Sequence, residues 1–229
     1  MNILYKLLAK KELEAYNYFR SGKKIPLKFY FPFFIKGFLS LFESLIRNIS
    51  GPFGFMIRRL YYSLVFKKLG KDVLIDTGVI FSGAHNISCG NKVWFDCYSV
   101  INCPISDIEI GNFVHIHTHT YLGGKEKITI GDYCGISSGS RLFTGSINIL
   151  TNKKDLMMNP MMELKNDDNA ISGPIIMEKN ALILSNCVVS PNLTMKEGSV
   201  LLSGSFLTKS TEEFTIYMGL PAKKISNRF

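Results

Sequence analysis

A period of six residues governs this chain after Gly70, and no other feature narrows its possible folds as far. Ile75, Phe81, Ile87, Val93 and Ser99 step by six; Ile110, Ile116 and Leu122 do so in a second register. Ile130, Ile136 and Leu142 make a third register, and Met177, Ile183, Val189, Met195, Leu201 and Leu207 a fourth. Four places after most of these stands a second, smaller residue: Cys97, Val114, Thr120, Cys134, Ser140, Ala181, Cys187, Ser199 and Ser205. A helix cannot hold a period of six, and a lone strand alternates every two residues. Short strands separated by turns and wound into a coil satisfy it, with one large and one small residue per hexad pointing at a narrow axis. The period therefore predicts a mainly β solenoid. Gly78, Gly90, Gly111, Gly131, Gly139 and Gly198 are expected at turns that need positive φ.

Breaks between registers locate the excursions, near Pro104 to Asp107, at Gly123 to Lys127, and in a long aperiodic stretch from about Ile147 to Ser172. A loop that long in a compact solenoid is functional or an interface arm. The chain then divides into a helical segment (1–70), the solenoid (71–210, with an extruded loop at 147–172) and a tail (211–229).

Before Gly70 the pattern is different. Apolar residues at 34, 35, 38, 39, 41, 42, 45 and 46 follow a helical period, with Lys36, Ser40, Glu43, Ser44 and Arg47 in the gaps. A second helix is expected from Phe53 to Leu69, with Arg58 and Arg59 opposite its apolar side and Gly70 as its C-cap. Residues 1–70 carry thirteen Lys/Arg and three Asp/Glu, against fourteen and fifteen in the remainder, so the net charge of +9 belongs to this segment. These helices can pack on the main domain, lie at a membrane interface, or do both. A nucleic-acid reader spreads charge over its main fold, so no nucleic-acid partner is expected. Lys36, Glu43 and Pro32 interrupt the apolar run before it reaches a span of ~20 residues, and the opening residues have no leader-like apolar core. The five cysteines show no metal-type spacing and are odd in number, which points to reduced thiols. The expected location is cytoplasmic, peripheral on the inner face of the membrane.

Three segments resemble the hexapeptide-repeat acyltransferases, in particular the branch that O-acetylates sugars of O-antigen and capsule polysaccharides. These are IGNFVHI (110–116), IGDYCGI (130–136) and GSFLTKSTEEFTIYMGLPAKKI (204–225), and GPFGFMIRRLYYSLVFKKLG (51–70) is similar to the approach segment of that branch. The resemblance implies a left-handed parallel β-helix, a homotrimer, and acetyl-CoA bound between subunits as co-substrate. In that setting Gly219, Pro221 and Ala222 would offer backbone groups to the pantetheine arm. Lys223 and Lys224 would offer charge to phosphate, and Ser203, Gly204 and Lys209 on the preceding coils would complete the contacts. The alternative is that Pro-Ala-Lys-Lys simply ends the solenoid.

Acyl transfer to a hydroxyl needs a base, and histidine is the usual one, with backbone N–H groups stabilising the oxyanion. Relatives often carry that histidine in the loop leaving the coil, where Ile147 and Asn148 stand here. Of the four histidines, His85 falls in an inward slot. His115 lies on the outer strand face, while His117 and His119 fall at a turn of the kind that lines the cleft between subunits. His119 is the first candidate base and His117 the second, against a plain surface pair. His-x-His-x-His lacks the spacing of the zinc sites in trimeric solenoids, so no metal is expected. Ser146 and Asn148 are candidate substrate-orienting groups, or ordinary loop residues. Three functions follow: O-acetylation of a sugar in a glycan or its precursor, N-acetylation of a nucleotide-linked amino sugar, or a non-catalytic trimeric scaffold.

Overall fold

The computed structural model describes residues 1–147 and 170–229, and Asn148 lies outside the described residues. The hexads wind into about six turns of a β-solenoid with three parallel sheets. The first sheet stacks Lys68–Leu69, Ile87–Cys89, Ile108–Ile110, Ile128–Ile130, Ile175–Met177 and Leu193–Met195. The second stacks Leu74–Ile75, Trp94–Phe95, His115–Ile116, Gly135–Ile136, Leu182–Ile183 and Val200–Leu201, followed by Thr215–Gly219. The third contains Ile80–Ser82, Val100–Asn102, Tyr121–Gly123, Arg141–Phe143, Val188–Val189 and Phe206–Leu207. Ile75, Ile116, Ile136, Ile183 and Leu201 are fully buried along one inner wall, and each such side chain stabilises the coil stack by roughly 1.5–3 kcal/mol.

One register differs from the expected one. A short 3-10 turn, Ala84–Asn86, enters after Gly83 and displaces the hexads that follow. Ile87 therefore aligns with Ile108, and Cys89 with Ile110. From there the large slots pass to Cys89, Phe95 and Ile101, while Val93 and Ser99 take the small ones; all five are buried. Cys97 consequently leaves the core and sits half-buried at a corner.

Two of the three corners repeat a left-handed residue in almost every coil. Asp72, Lys92, Phe113, Tyr133, Asn180, Gly198 and Phe214 mark the corner between the first and second sheets. Gly78, Tyr98, His119, Gly139, Asn186 and Gly204 mark the corner between the second and third. A bulky residue there costs roughly 1–2 kcal/mol, and stacking between neighbouring coils offsets it: Phe113 on Tyr133 at 4.9 Å, Tyr98 on His119 at 5.6 Å. Gly90, Gly111 and Gly131 do not supply positive φ as expected. They form a column with Gly70 in which coils touch, and a Cβ on Gly70 would lie 2.1 Å from the Gly90 carbonyl oxygen. Gly70 is thus part of the stack and not a helix cap. Glu178 and Lys196 continue this column without positive φ, joined by a 2.9 Å ion pair.

The long excursion begins and ends as an antiparallel ribbon, Gly145–Ile147 with Ala170–Ser172. At the other end, the 211–229 segment continues the solenoid. Phe206–Leu207 pairs with Val188–Val189, and Thr215–Gly219 adds a further parallel rung before folding back on Ala222–Asn227 as a hairpin.

Three helices precede the solenoid: α1 (Asn2–Arg20), α2 (Tyr30–Arg47) and α3 (Gly51–Val65). The third is shorter than the pattern suggested, ending at Val65. Tyr61, Tyr62 and Val65 pack into the solenoid core near Phe81. Arg58, expected on a polar outer side, is instead fully buried. Its Nε donates to the Ile75 carbonyl at 2.8 Å, and Nη1 donates to the carbonyls of Ile46 and Ile49 at the end of α2. A cation at a helix C-terminus satisfies orphan carbonyls and the helix dipole together.

Candidate active site

The corner between the second and third sheets gathers the chemistry. Trp94 pairs with His115 and Phe95 with Ile116, so the next residues, Asp96 and His117, stack at the same position in consecutive coils. Backbone bonds continue the column, Asp96 N to Ile116 O, His117 N to Ile136 O and Ser137 N to Ile183 O, each within 2.9 Å. His115 and His117 are two apart, hence on the same side of their strand, and their rings lie 3.7 Å apart. Trp94 stacks on the far side of His115 at 4.7 Å, nearly parallel.

Asp96 connects the two imidazoles. Its Oδ1 is 3.0 Å from His115 Nε2 and its Oδ2 is 3.4 Å from His117 Nδ1. A carboxylate facing Nδ1 favours the tautomer with the proton on that nitrogen, leaving Nε2 with a free lone pair. Burial, then the neighbouring His115, push the His117 imidazole below its ordinary value, while Asp96 pulls it back. The result is an imidazole that is neutral near pH 7 and oriented by a carboxylate, the arrangement a general base needs.

His119 stands apart from this cluster. It is exposed, in the left-handed region with φ of 58°, and stacks on Tyr98. Among the described residues, the structure brings His117 to a carboxylate and does not bring His119 to one. Asp96 was not singled out in the sequence, since a lone Asp after an apolar pair carries no motif. The signal was its distance from His117, one coil. Asp96, His115 and His117 each present a ligand atom within 4.8 Å of the others, so they are the donor set that could hold a cation. Asp96 and His115 also satisfy one another by hydrogen bonding.

The same corner leads to the residues expected at acyl-CoA. Gly139 N bonds to Thr118 O, Asn186 N to Ser138 O, and Gly204 N to Ser185 O, so Ser203 and Gly204 stand three coils above Thr118. At the inter-strand spacing of a β ladder this is roughly 14 Å. Ser203 is exposed, and a Cβ on Gly204 would meet nothing within 4 Å, which leaves the backbone there open to a ligand. Gly219 and Ala222 face each other across the hairpin turn that holds Leu220 and Pro221, and Gly219 N donates to Ser205 Oγ at 3.0 Å. The hairpin is thereby tied to the same coil. Lys209 and Lys223 are exposed, and Lys224 is held by Glu212 at 2.6 Å. Ser146 is exposed on the ribbon at the base of the excursion, paired with Ile171.

Burial disfavours thiolate chemistry at Cys89, Cys103 and Cys134. All five cysteines are free, and burial pushes Cys89 and Cys103 up to about 12 and Cys134 to about 11, so none of these three is a thiolate nucleophile at neutral pH. A hollow of about 700 Å³ lies between α1 and the solenoid, lined by His85, Pro104 and Tyr16 among others. His85 is buried there on the Ala84–Asn86 turn, not in the inward slot expected of it, and burial lowers its basicity.

No protein-family model matches the chain. The dTDP-4-amino-4,6-dideoxy-D-glucose acyltransferase of Escherichia coli is 32% identical over 163 residues, 71% of this chain and 83% of that protein. A chloramphenicol acetyltransferase of Agrobacterium fabrum is 26% identical over 113 residues, 46% of this chain and 54% of that one. Among solved structures, a variant of AntD is similar with a TM-score of 0.68 at 26% identity, covering 75% of this chain and 89% of AntD. AntD is an N-acyltransferase from Bacillus cereus, seen in complex with dTDP-4-amino-4,6-dideoxyglucose and coenzyme A. A hexapeptide-repeat acetyltransferase from Vibrio cholerae shares the fold, with a TM-score of 0.53 at 19% identity.

Proposed function

The chain belongs to the hexapeptide-repeat acyltransferases of sugars, and we propose that it transfers an acyl group from acyl-CoA to the amino group of a nucleotide-linked amino sugar. The observation that carries this reading is the likeness to the Escherichia coli enzyme over most of both chains, with AntD as structural counterpart. The O-acetylation of surface polysaccharide expected above gives way to N-acylation, since both relatives are named for an amino-sugar acceptor or for N-acyl transfer. Acetyl-CoA remains the co-substrate, in keeping with CoA complexes of the structural relatives.

In this reading the sugar amine attacks the thioester carbonyl, the C–S bond breaks, and an amide and CoA result. The attacking nitrogen must lose one proton. His117 Nε2 takes it and returns it to the departing sulfur, while Asp96 orients the ring and steadies the imidazolium between those steps. A free amine is a strong nucleophile without prior deprotonation, which fits a base of modest strength. The donor runs along the corner from Thr118 up to Ser203, Gly204 and the Gly219–Ala222 turn, a length suited to an extended pantetheine arm. Lys223 would face its phosphates, whereas Lys209 lies one corner further on, past the third-sheet strand Phe206–Leu207. A homotrimer would wall this open corner with a neighbouring subunit, and Ser146 and Asn148 would reach the acceptor from the excursion.

The test is turnover of acetyl-CoA with dTDP-4-amino-4,6-dideoxyglucose, followed as thiol release and product mass, beside the matching 4-hydroxy sugar nucleotide. An amide that resists hydroxylamine is the expected product. A hydroxylamine-labile ester formed only on the hydroxy sugar would restore O-acetylation. Absence of acetyl-CoA binding by titration calorimetry would leave the scaffold reading.

A further inference from the structure

The helices α2 and α3 are built inside out. Along α2 the most exposed apolar side chains are Phe31, Phe34, Phe38, Leu41 and Leu45, spaced three or four apart on one stripe, and Phe34 is 75% exposed. Along α3 they are Phe53, Met56, Leu60 and Leu64, with Met56 70% exposed. The charged residues Lys36, Glu43 and Arg58 turn inward. Glu43 accepts from Tyr62 Oη at 2.8 Å and pairs with Arg47, Lys36 pairs with Glu12 on α1, and Arg58 is wholly buried. A helix on a water-facing surface shows the opposite order, and contiguous exposed apolar surface of this kind marks a partner.

Charge identifies that partner. The thirteen Lys/Arg against three Asp/Glu lie in these first seventy residues. Lys23, Lys24 and Lys28 are exposed where the chain enters α2, and Lys28 sits over the Phe29 ring. Arg59 borders a shallow hollow of about 480 Å³ on α3, lined otherwise by Phe53, Met56, Ile57, Leu60 and Ser63. Apolar stripes flanked by cations match a bilayer surface rich in anionic headgroups. A second copy that laid this patch on itself would bring like charges together.

We propose that the outward faces of α2 and α3 form a platform that lies in the interface of an anionic membrane and holds the solenoid against it. Despite Lys36, Glu43 and Pro32, which were expected to break the run, the helical residues from Leu27 to Arg47 are by length and composition apolar enough to cross a bilayer, with a mean hydropathy of 1.4. They lie in the plane instead, because the inner side of α2 is bonded to α1, α3 and the Ile75 strand through Lys36, Glu43 and Arg58. The proposal goes beyond the acyl transfer argued above and does not depend on the acceptor. A nucleotide-linked product made here would be delivered beside a membrane-bound transferase that consumes it.

Flotation of the full chain on phosphatidylcholine vesicles with and without 30% phosphatidylglycerol (a chosen fraction, on the order of that in a strongly anionic leaflet) tests the idea. Binding is expected only with phosphatidylglycerol, with loss at high salt and release by alkaline carbonate. The exposed-face variant Phe34→Ser/Phe38→Ser/Leu41→Ser should bind at least tenfold more weakly. Lys23→Gln/Lys24→Gln/Lys28→Gln should lose the preference for anionic lipid. Both should keep thiol release from acetyl-CoA in solution, a readout that reports acyl transfer separately. A chain that resists carbonate spans the bilayer, and one that stays with neither vesicle while sedimenting as a larger assembly uses the face for self-association; either result overturns the proposal.

Discussion

Asp96 and His117 occupy the same position in consecutive coils, and this stacking sets Oδ2 of one 3.4 Å from Nδ1 of the other. The pair is assembled by the solenoid repeat itself, with no loop to position either residue. His119, two residues on, misses it because the chain has already entered the left-handed corner residue.

The first prediction separates the two histidines. His117→Ala should lower kcat by about 10²–10⁴, the usual worth of a positioned base, while His119→Ala should cost less than tenfold, about 1.4 kcal/mol. Asp96→Asn keeps the shape but removes the charge, and should fall between them. Equal losses for both histidine variants in steady-state assays would refute the assignment.

The pH profile offers a second check. Burial and His115 hold the His117 imidazole below its ordinary value. A base works deprotonated, so activity should rise with pH through that lowered value and be level by neutrality on account of this group. His115→Ala removes one lowering influence and leaves Asp96, so the acid limb should move to higher pH. Comparing both proteins with one acceptor cancels the titration of the acceptor amine.

Arg58 should prove a stability residue. Arg58→Met strands the carbonyls of Ile46, Ile49 and Ile75, and unpaired buried acceptors together with the lost charge-assisted bonds should cost roughly 3 kcal/mol. Calorimetry should then show Tm lower by about 6–12 °C.

Two glycines distinguish crowding from conformation. Gly70→Ala puts a Cβ against backbone that cannot yield, 2.1 Å from a carbonyl oxygen, and should cost about 3 kcal/mol, the upper end for overpacking. Gly204→Ala meets open space and only the penalty of its φ of 72°, roughly 1 kcal/mol. Denaturant midpoints on the two variants read the difference.

The period of six made the solenoid legible because an inward side chain must recur whenever a coil closes. What the sequence hid were events at corners. The Ala84–Asn86 turn moved the register by two and put Cys97 outside the core, and nothing in that tripeptide marks it as an insertion. The glycine column misled for a related reason: a missing Cβ serves equally for positive φ and for close contact, and only neighbouring coils decide which. His117 was visible and Asp96 was not, since their meeting depends on a coil length that the Pro104–Asp107 break sets. Arg58 looked like a surface residue because its helix reverses the usual order of polar and apolar faces. The acceptor was not legible, because a six-residue period and a closing hairpin are common to transferases of different acceptor chemistry.

The backbone ladder that joins Thr118 to Ser203 also acts as a ruler with whole-number divisions. Each coil adds one step of about 4.8 Å, and the unbroken coil from Ile183 to Leu201 uses eighteen residues to do it. Substitutions can tune what each rung displays, yet the reach from His117 to the hairpin changes only when an entire coil is gained or lost. For a donor lying along this corner, length is counted in integers.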